Sequence, residues 1–182
     1  MLHNSLMSSP SPILSAYLDN CIAPSGMVNN QIEQAELDAL IELFRREEAG
    51  TVSLCTSEVT KEEIARIPAS ARVPFEDVYA GFERVPMVAE EFRLPKLLTS
   101  MRSGVTSGPI VEDAKLGSLR DILPDLDDAR HVYQAVCNGD EYFVTRDQKS
   151  ILAHAEAVKA AVGITLCWPS DLVEELDRRG LK

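Results

Sequence analysis

Residues 13–20 read Ile13-Leu14-Ser15-Ala16-Tyr17-Leu18-Asp19-Asn20. The first six residues form a short apolar run, and it ends abruptly at two polar residues, which is the pattern of a first strand. Similar runs, also predicted to be strands, cover residues 51–56, 142–145 and 163–167. Since helical segments separate these runs, the sequence predicts an α/β fold: three α/β/α layers around a mainly parallel central sheet.

Apolar residues at three- and four-residue spacings predict helices over about 31–48 and 128–138. We also expect helices near 58–67, 75–84, 86–92 and 148–161, and a last one after Pro169. Gly50 is placed to end the helix at 31–48, whereas Ser57 can cap the helix near 58–67 and Pro68 can end it. Residues 1–12 are predicted to be a leader outside the core. Residues 13–182 are predicted to be a single domain with a helical and loop insertion at about 69–124.

The chain is acidic, with 18 Lys and Arg against 29 Asp and Glu and a net charge of −11. Such a chain is repelled by phosphate backbones, which disfavours binding of nucleic acid through bulk charge but leaves a local basic strip or bound metal ions open. Hydrophobic residues make up 45% of the chain, which excludes wholesale disorder. Four widely spaced cysteines, no signal peptide and no membrane-length apolar run predict a cytoplasmic protein with reduced, buried thiols and no membrane partner.

Several familiar catalytic motifs do not occur in the sequence. It contains no GxxxxGK[ST], GxGxxG or GxSxG motif, and its three histidines, at positions 3, 131 and 154, cannot form HExxH. The chemistry that remains is that of carboxylates.

Four acids follow predicted strands or begin predicted helices: Asp19, Glu58, Asp128 and Asp147. The carboxyl ends of parallel strands meet at one edge of a sheet, where α/β proteins bind ligands, so these acids can converge. Each also has a purely structural interpretation: Glu58 and Asp128 as helix-dipole partners, Asp147 as a helix cap and Asp19 as the start of a turn.

Converging carboxylates repel one another and raise each other's pKa, which makes such a site costly without cations. A cluster of oxygen ligands suits Mg²⁺ or Mn²⁺ rather than zinc. A pair of such ions could activate a water molecule and stabilise the leaving oxygen in phosphodiester hydrolysis.

Four segments of the chain resemble PIN-domain nucleases, a family that includes the toxin ribonucleases of bacterial toxin–antitoxin pairs. The segments are Tyr17-Leu18-Asp19-Asn20-Cys21-Ile22, Thr56-Ser57-Glu58-Val59-Thr60-Lys61-Glu62-Glu63-Ile64, Asp128-Ala129-Arg130-His131, and Tyr142-Phe143-Val144-Thr145-Arg146-Asp147. The resemblance spans about residues 13–67 and 125–178, and the order and spacing of the segments carry it.

The resemblance implies a PIN-like fold in which Asp19, Glu58, Asp128 and Asp147 form the acidic tetrad that is catalytic and binds Mg²⁺ or Mn²⁺. Thr145 matches the family's small hydroxyl residue two positions before the last acid. Asn20, next to Asp19, is assigned a supporting role.

The implied activity is that of a metal-dependent endoribonuclease that hydrolyses RNA phosphodiester bonds, as the toxin of a toxin–antitoxin pair or a close relative. The implied partners are an RNA substrate, an antitoxin protein and further copies of the chain in a homo-oligomer. The alternative is a catalytically weak PIN-like module that binds protein or RNA.

The sequence departs from the compact toxins in its long middle segment, which we expect to carry extra helices. Three further acids, Asp125, Asp127 and Asp140, compete for the assignments, and Asp140 is better interpreted as part of the turn before the strand at 142–145. His131 lies one helical turn beyond Asp128, where it either supports the site or is simply packed or solvated.

A basic strip is predicted to touch the substrate. No acid occurs between Phe92 and Val111, whereas Arg93, Lys96 and Arg102 do, so the strip is either a solvated face or a contact to the RNA backbone. Replacing all three by Ala is expected to weaken RNA binding, and each lost phosphate contact lowers the salt slope for a single strand by about 0.7. Binding titrations at several salt concentrations test this, and an unchanged slope would exclude the strip as a contact surface.

Overall fold

A computed structural model describes residues 13–24, 32–88 and 114–181. Its strands are β1 (Leu14–Leu18), β2 (Val52–Cys55), β3 (Tyr142–Val144) and β4 (Thr165–Cys167). They form one sheet in the order β2-β1-β3-β4, and every neighbouring pair is parallel. This confirms the predicted α/β fold, with a fully parallel sheet over the described strands.

Helices cover both faces of this sheet. The described residues contain α1 (Gln34–Glu48), α2 (Glu58–Ala65), α3 (Ala69–Arg72), α4 (Glu76–Arg84), α5 (Ala114–Ile122), α6 (Leu126–Asn138), α7 (Ala155–Val162) and α8 (Pro169–Arg178). Helices α1, α2, α4 and α8 contribute to the core on one face, and α5, α6 and α7 to the core on the other. The architecture is therefore the three-layer α/β/α arrangement that the sequence predicts.

The alternation of side chains along the strands separates the two cores. In β1, Leu14, Ala16 and Leu18 lie in the core on the side of α1 and α8, whereas Tyr17 lies in the core on the side of α6. Because a strand turns successive side chains to opposite faces, an apolar run without polar interruptions suits a strand that is covered on both sides. This explains why the first run carries so few polar residues.

Two predicted helices differ in the structure. The segment predicted to be helical at 86–92 is extended over residues 86–88, where the backbone of Thr56 accepts from Val88 N at 2.8 Å and donates to Pro86 O at 3.0 Å. Residues 89–92 lie outside the described residues. The helix predicted over 148–161 is shorter, since residues 148–151 form turns and Leu152–His154 a 3-10 helix before α7 begins at Ala155.

Two predictions about the organisation of the chain concern residues that the structure does not describe. The leader at 1–12 and residues 89–113 of the predicted insertion lie outside the described ranges. Within the interval 69–124, α4 packs into the helical layer on one face of the sheet and α5 into the layer on the other face. Leu119 of α5 is fully buried. Helix α5 was not predicted.

Cys21, Cys55, Cys137 and Cys167 are all free thiols, as expected. Cys55 and Cys167 are buried, whereas Cys21 and Cys137 are only half-buried, so the expected burial is wrong for two of the four. Within residues 13–24, 32–88 and 114–181, no helix combines the length and apolar character that a membrane crossing requires.

The contact between α1 and α4 requires a glycine at position 81. A Cβ atom at Gly81 would overlap the ring of Phe44, which packs edge-on against Phe82 at a centroid distance of 5.5 Å. We expect Gly81→Ala to lower the melting temperature by several degrees, since overpacking costs about 1–3 kcal/mol and the better helix propensity of Ala returns about 1 kcal/mol at most. Thermal melts followed by circular dichroism test this.

The matched control is Gly117→Ala in α5. No described atom lies within 4 Å of the added methyl group there, so this change is expected to leave the melting temperature unchanged or to raise it. Equal melting temperatures for Gly81→Ala and wild type would contradict the close α1–α4 contact.

Candidate functional site

Asp19 lies at the carboxyl end of β1, where its carboxylate is buried and hydrogen-bonded. Its side chain is only 4% exposed; Oδ1 accepts from Asn20 N at 2.8 Å and Oδ2 accepts from the Thr145 hydroxyl at 2.7 Å. Its backbone N donates to Val144 O at 3.0 Å, which ties the end of β1 to the end of β3. The carboxylate therefore has a fixed orientation at the carboxyl edge of the sheet.

Thr145 is the residue that connects the segments around Asp19. Its hydroxyl is fully buried and lies 3.0 Å from Cys21 Sγ, and it accepts from Asp147 N at 3.1 Å. A hydroxyl has one proton and two acceptor sites, so giving the proton to Asp19 leaves both acceptor sites for Asp147 N and the Cys21 thiol. Thr145 thus orients the carboxylate of Asp19.

Asp147 begins the turn that follows β3. Its Oδ1 accepts from Lys149 N at 3.0 Å and Ser150 N at 2.7 Å, so this oxygen caps the turn before the 3-10 helix. The capping interpretation of Asp147 is therefore correct for one oxygen, although the capped element is a turn. Its Oδ2 accepts no hydrogen bond from the described residues, which leaves that oxygen available for a ligand.

Asp128 lies in the first turn of α6, three positions after the residue that caps the helix. The cap is Asp125, whose carboxylate accepts from Asp127 N at 2.7 Å. Asp128 is half-buried, and its pKa is raised to about 6, first by burial and then by the negative charges of Asp125, Asp147 and Asp19, with Asp127 adding least. The charges of Asp19 and Asp147 thus both act on Asp128, although the three acids come from three separate elements.

Glu58 is the first residue of α2 and is exposed. Ser57 caps this helix as predicted, because its hydroxyl accepts from Thr60 N at 3.0 Å. The helix contacts the 3-10 turn Asn20–Ile22, so it begins at the same edge of the sheet as Asp19. Glu58 is the most exposed of the four predicted acids, since Asp19 is buried and Asp128 and Asp147 are half-buried.

Below the acids, His131 lies beside a buried tyrosine. The ring of Tyr17 stacks on Phe143 at 5.2 Å, and its hydroxyl lies 3.3 Å from His131 Nδ1. Burial raises the pKa of Tyr17, while the nearby hydroxyls of Ser57 and Thr60 act in the opposite direction. His131 therefore contacts the hydroxyl of Tyr17, on the face of the sheet that α6 covers.

The two other competing acids have structural partners. Asp140 precedes β3, in the turn that the sequence predicts, and so lies at the opposite edge of the sheet. It accepts from Cys55 Sγ at 3.2 Å and Asn138 Nδ2 at 3.0 Å, and its pKa is raised by burial. Asp127 is exposed and pairs with Arg130 at 2.8 Å. Neither replaces Asp19, Asp128 or Asp147.

Among the described residues, no three His, Cys, Asp or Glu side chains already have the arrangement of a metal site. The side chains of Asp19, Asp128 and Asp147 offer carboxylate oxygen alone, which is the type of ligand that a hard divalent cation prefers. The basic strip of Arg93, Lys96 and Arg102 lies outside the described residues.

The sequence analysis assigns no role to Cys21. Its sulfur lies between the hydroxyl of Thr145 and the backbone N–H of Arg146. Arg146 N donates to Cys21 Sγ at 3.1 Å, so the thiol fastens the segment after β3 to the segment after β1. The signal was its position two residues after Asp19, at the same edge of the sheet.

No family model, curated protein or solved structure matches this chain.

The crowded carboxylates make a prediction about stability. Because the folded pKa of Asp128 is raised to about 6, its favourable contribution to folding is complete below the unfolded pKa of about 3.9 and is lost as the pH rises through 6. In chelator at pH 7.5, Asp128→Asn is expected to stabilise the fold by about 1 kcal/mol, a value reduced for solvent screening, which raises the melting temperature by about 2–4 °C. At pH 4 the gain is expected to vanish.

Asp127→Asn is the matched control, because it removes a charge from the same helical turn but from a side chain that is 77% exposed. It is expected to leave the melting temperature unchanged or slightly lower at both pH values. A melting temperature of Asp128→Asn at or below that of wild type at pH 7.5 would contradict the mutual repulsion of the three acids.

Proposed function

We propose that this protein is a metal-dependent endoribonuclease of the PIN-like type, which hydrolyses phosphodiester bonds in RNA. One observation carries the proposal: the charges of Asp19 and Asp147 both act on Asp128, at the carboxyl edge of a parallel sheet. Such edges are where α/β folds bind ligands, and a helix-capping role does not require three acids to meet there.

The candidate cofactor is Mg²⁺ or Mn²⁺, held by Asp19, Asp128 and Asp147, with Glu58 as the fourth and most exposed acid. A divalent cation turns the repulsion around Asp128 into attraction, so the electrostatic cost of the cluster favours binding of the cation. When bound, the ion supplies Lewis-acid chemistry for hydrolysis of a phosphodiester.

The residues of the chain itself orient the acids. Thr145 holds Asp19 Oδ2 at 2.7 Å, and the backbone N–H groups of residues 149 and 150 hold Asp147 Oδ1, which fixes both carboxylates. Asp128 exchanges its proton at a pH near 6, so the proton competes with the cation for this carboxylate. Affinity for the cation is therefore expected to rise as the pH increases through this range.

The wider context follows the same proposal. The protein acts in the cytoplasm, as the toxin of a toxin–antitoxin pair or a relative of one, with an antitoxin as partner and a homo-oligomeric state. The alternative, a catalytically weak module that binds protein or RNA, is supported less well, because the chain retains all four acids.

Cleavage of a panel of structured and unstructured RNAs tests the proposal, with Mg²⁺, with Mn²⁺ and with chelator. Loss of a residue that only supports a metal ligand costs roughly 10–100-fold in activity. Asp19→Asn, Asp128→Asn and Asp147→Asn each remove a proposed ligand, so each is expected to reduce cleavage by more than this. Asp127→Asn, on the same turn as Asp128, serves as the control and is expected to cleave like wild type. No cleavage by wild type under any condition would favour the binding module.

Thr145 provides an independent test of the positioning of Asp19. Thr145→Val removes the hydroxyl at nearly constant shape and is expected to reduce cleavage about 10–100-fold, whereas Thr145→Ser retains the hydroxyl and is expected to restore most of it. Melting curves of both variants check that they fold. Equal rates for Val and Ser at this position would show that the hydroxyl does not act on the site.

A further inference from the structure

A polar cleft that contains none of the four predicted acids opens at the carboxyl edge of the sheet. It has a volume of about 290 Å³, and its lining residues are Glu33, Glu36, Arg146, Gln148, Trp168 and Ser170. Arg146 stands in the chain between Thr145 and Asp147, and Trp168 directly follows β4, the neighbour of β3 in the sheet. The cleft and the acidic cluster therefore lie side by side.

The walls of this cleft are held by hydrogen bonds between elements. Ser170, in the first turn of α8, donates to Glu36 of α1 through its backbone N at 3.1 Å and through its hydroxyl at 2.6 Å. Trp168 N donates to Asp171 Oδ2 at 3.1 Å, which fixes the residue before α8. The cleft is thus built on packed helices and strand ends, which suits a preformed binding site.

The lining offers three kinds of contact. The indole of Trp168 provides an aromatic face, the guanidinium of Arg146 provides positive charge, and the carboxylates of Glu33 and Glu36 can only accept hydrogen bonds when ionised. The lining combines two carboxylates with one guanidinium, so a ligand that presents both N–H donors and a negative charge can satisfy both kinds of group. A nucleobase fits all three, since it stacks on an aromatic ring and donates N–H groups from its edge while its own phosphate pairs with the cation.

We infer that this cleft binds one base of single-stranded RNA next to the bond that is cleaved. The choice of ligand rests on the proposed function, because RNA bound at the acids would pass Arg146 to reach the cleft. The carboxylates favour bases with an exocyclic amino group, namely adenine, guanine and cytosine, over uracil. The cleft is therefore a specificity subsite, separate from the residues that carry the hydrolysis.

Trp168 is the only tryptophan in the chain, so its fluorescence reports on this cleft alone. The probes are AMP, GMP, CMP and UMP, which contain no phosphodiester bond to cleave, and the matching RNA tetramers in chelator. We expect saturable quenching by the three amino-bearing nucleotides and clearly weaker quenching by UMP. Free N-acetyltryptophanamide, titrated in parallel, corrects for absorption by the nucleotides.

The variants are measured by fluorescence polarisation of labelled tetramers. Trp168→Leu keeps an apolar side chain but removes the stacking face, and it is expected to weaken binding of an adenine tetramer about 5- to 100-fold. Trp168→Phe retains an aromatic face and is expected to restore part of the affinity. Melting curves of both variants show whether they fold, and the fluorescence titration of wild type tests the cleft without any substitution.

The outcomes separate this inference from the proposed function. Quenching by nucleotides without cleavage under any metal would support the subsite and overturn the nuclease. Cleavage of RNA without quenching, and with an unchanged KM for Trp168→Leu, would overturn the subsite and leave the nuclease standing. Quenching by an arginine-rich peptide but not by any nucleotide would also overturn it, since the cleft would then take a basic side chain of a protein.

Discussion

The hydrogen bond from the Thr145 hydroxyl to Asp19 Oδ2 is the contact on which the rest of the site depends. A buried carboxylate is costly unless it is hydrogen-bonded, and Asp19 meets this requirement with Thr145 and Asn20. The same hydroxyl accepts from Asp147 N, so one oxygen atom sets the relation between the ends of β1 and β3 and the turn that follows. These two strands are adjacent and buried on both faces. The carboxylates of Asp19 and Asp147, which follow them, are therefore positioned by the centre of the sheet.

The buried Asp140 and the half-buried Asp128 have different surroundings, and the contrast supports the proposed site. Asp140, at the opposite edge of the sheet, receives hydrogen bonds from Cys55 and Asn138, so its burial is compensated by neutral donors. Asp128 instead faces other carboxylates, and no described residue donates a hydrogen bond to its side chain. A structural acid needs a donor beside it, whereas an acid surrounded by negative charge is compensated only by a cation or a proton. This asymmetry is what a cation-binding edge requires.

The parts of this structure that could be predicted from the sequence are those written in local patterns. The strands at 14–18 and 52–55 follow from apolar runs, and the positions of Asp19 and Asp147 follow from the ends of such runs. The extended segment at 86–88 could not be predicted, because it is formed by hydrogen bonds to Thr56, about thirty positions away. The roles of Cys21 and Asp125 were missed for related reasons: the first depends on a contact across the sheet, and the second on which of several neighbouring acids becomes the helix cap.

The acidity of the whole chain does not decide how it meets an anionic substrate. Charges more than about 8–10 Å apart are largely screened at physiological salt, so most of the 29 acidic residues hardly affect a phosphate at the sheet edge. Under the proposed function, what acts there is local: the carboxylates of Asp19, Asp128 and Asp147, and Arg146, which lies between Thr145 and Asp147 in the chain. A divalent cation held by these acids would make this edge more positive without changing the rest of the surface. The edge would then bind a polyanion that the remaining surface repels, which would restrict binding to the place of the proposed hydrolysis.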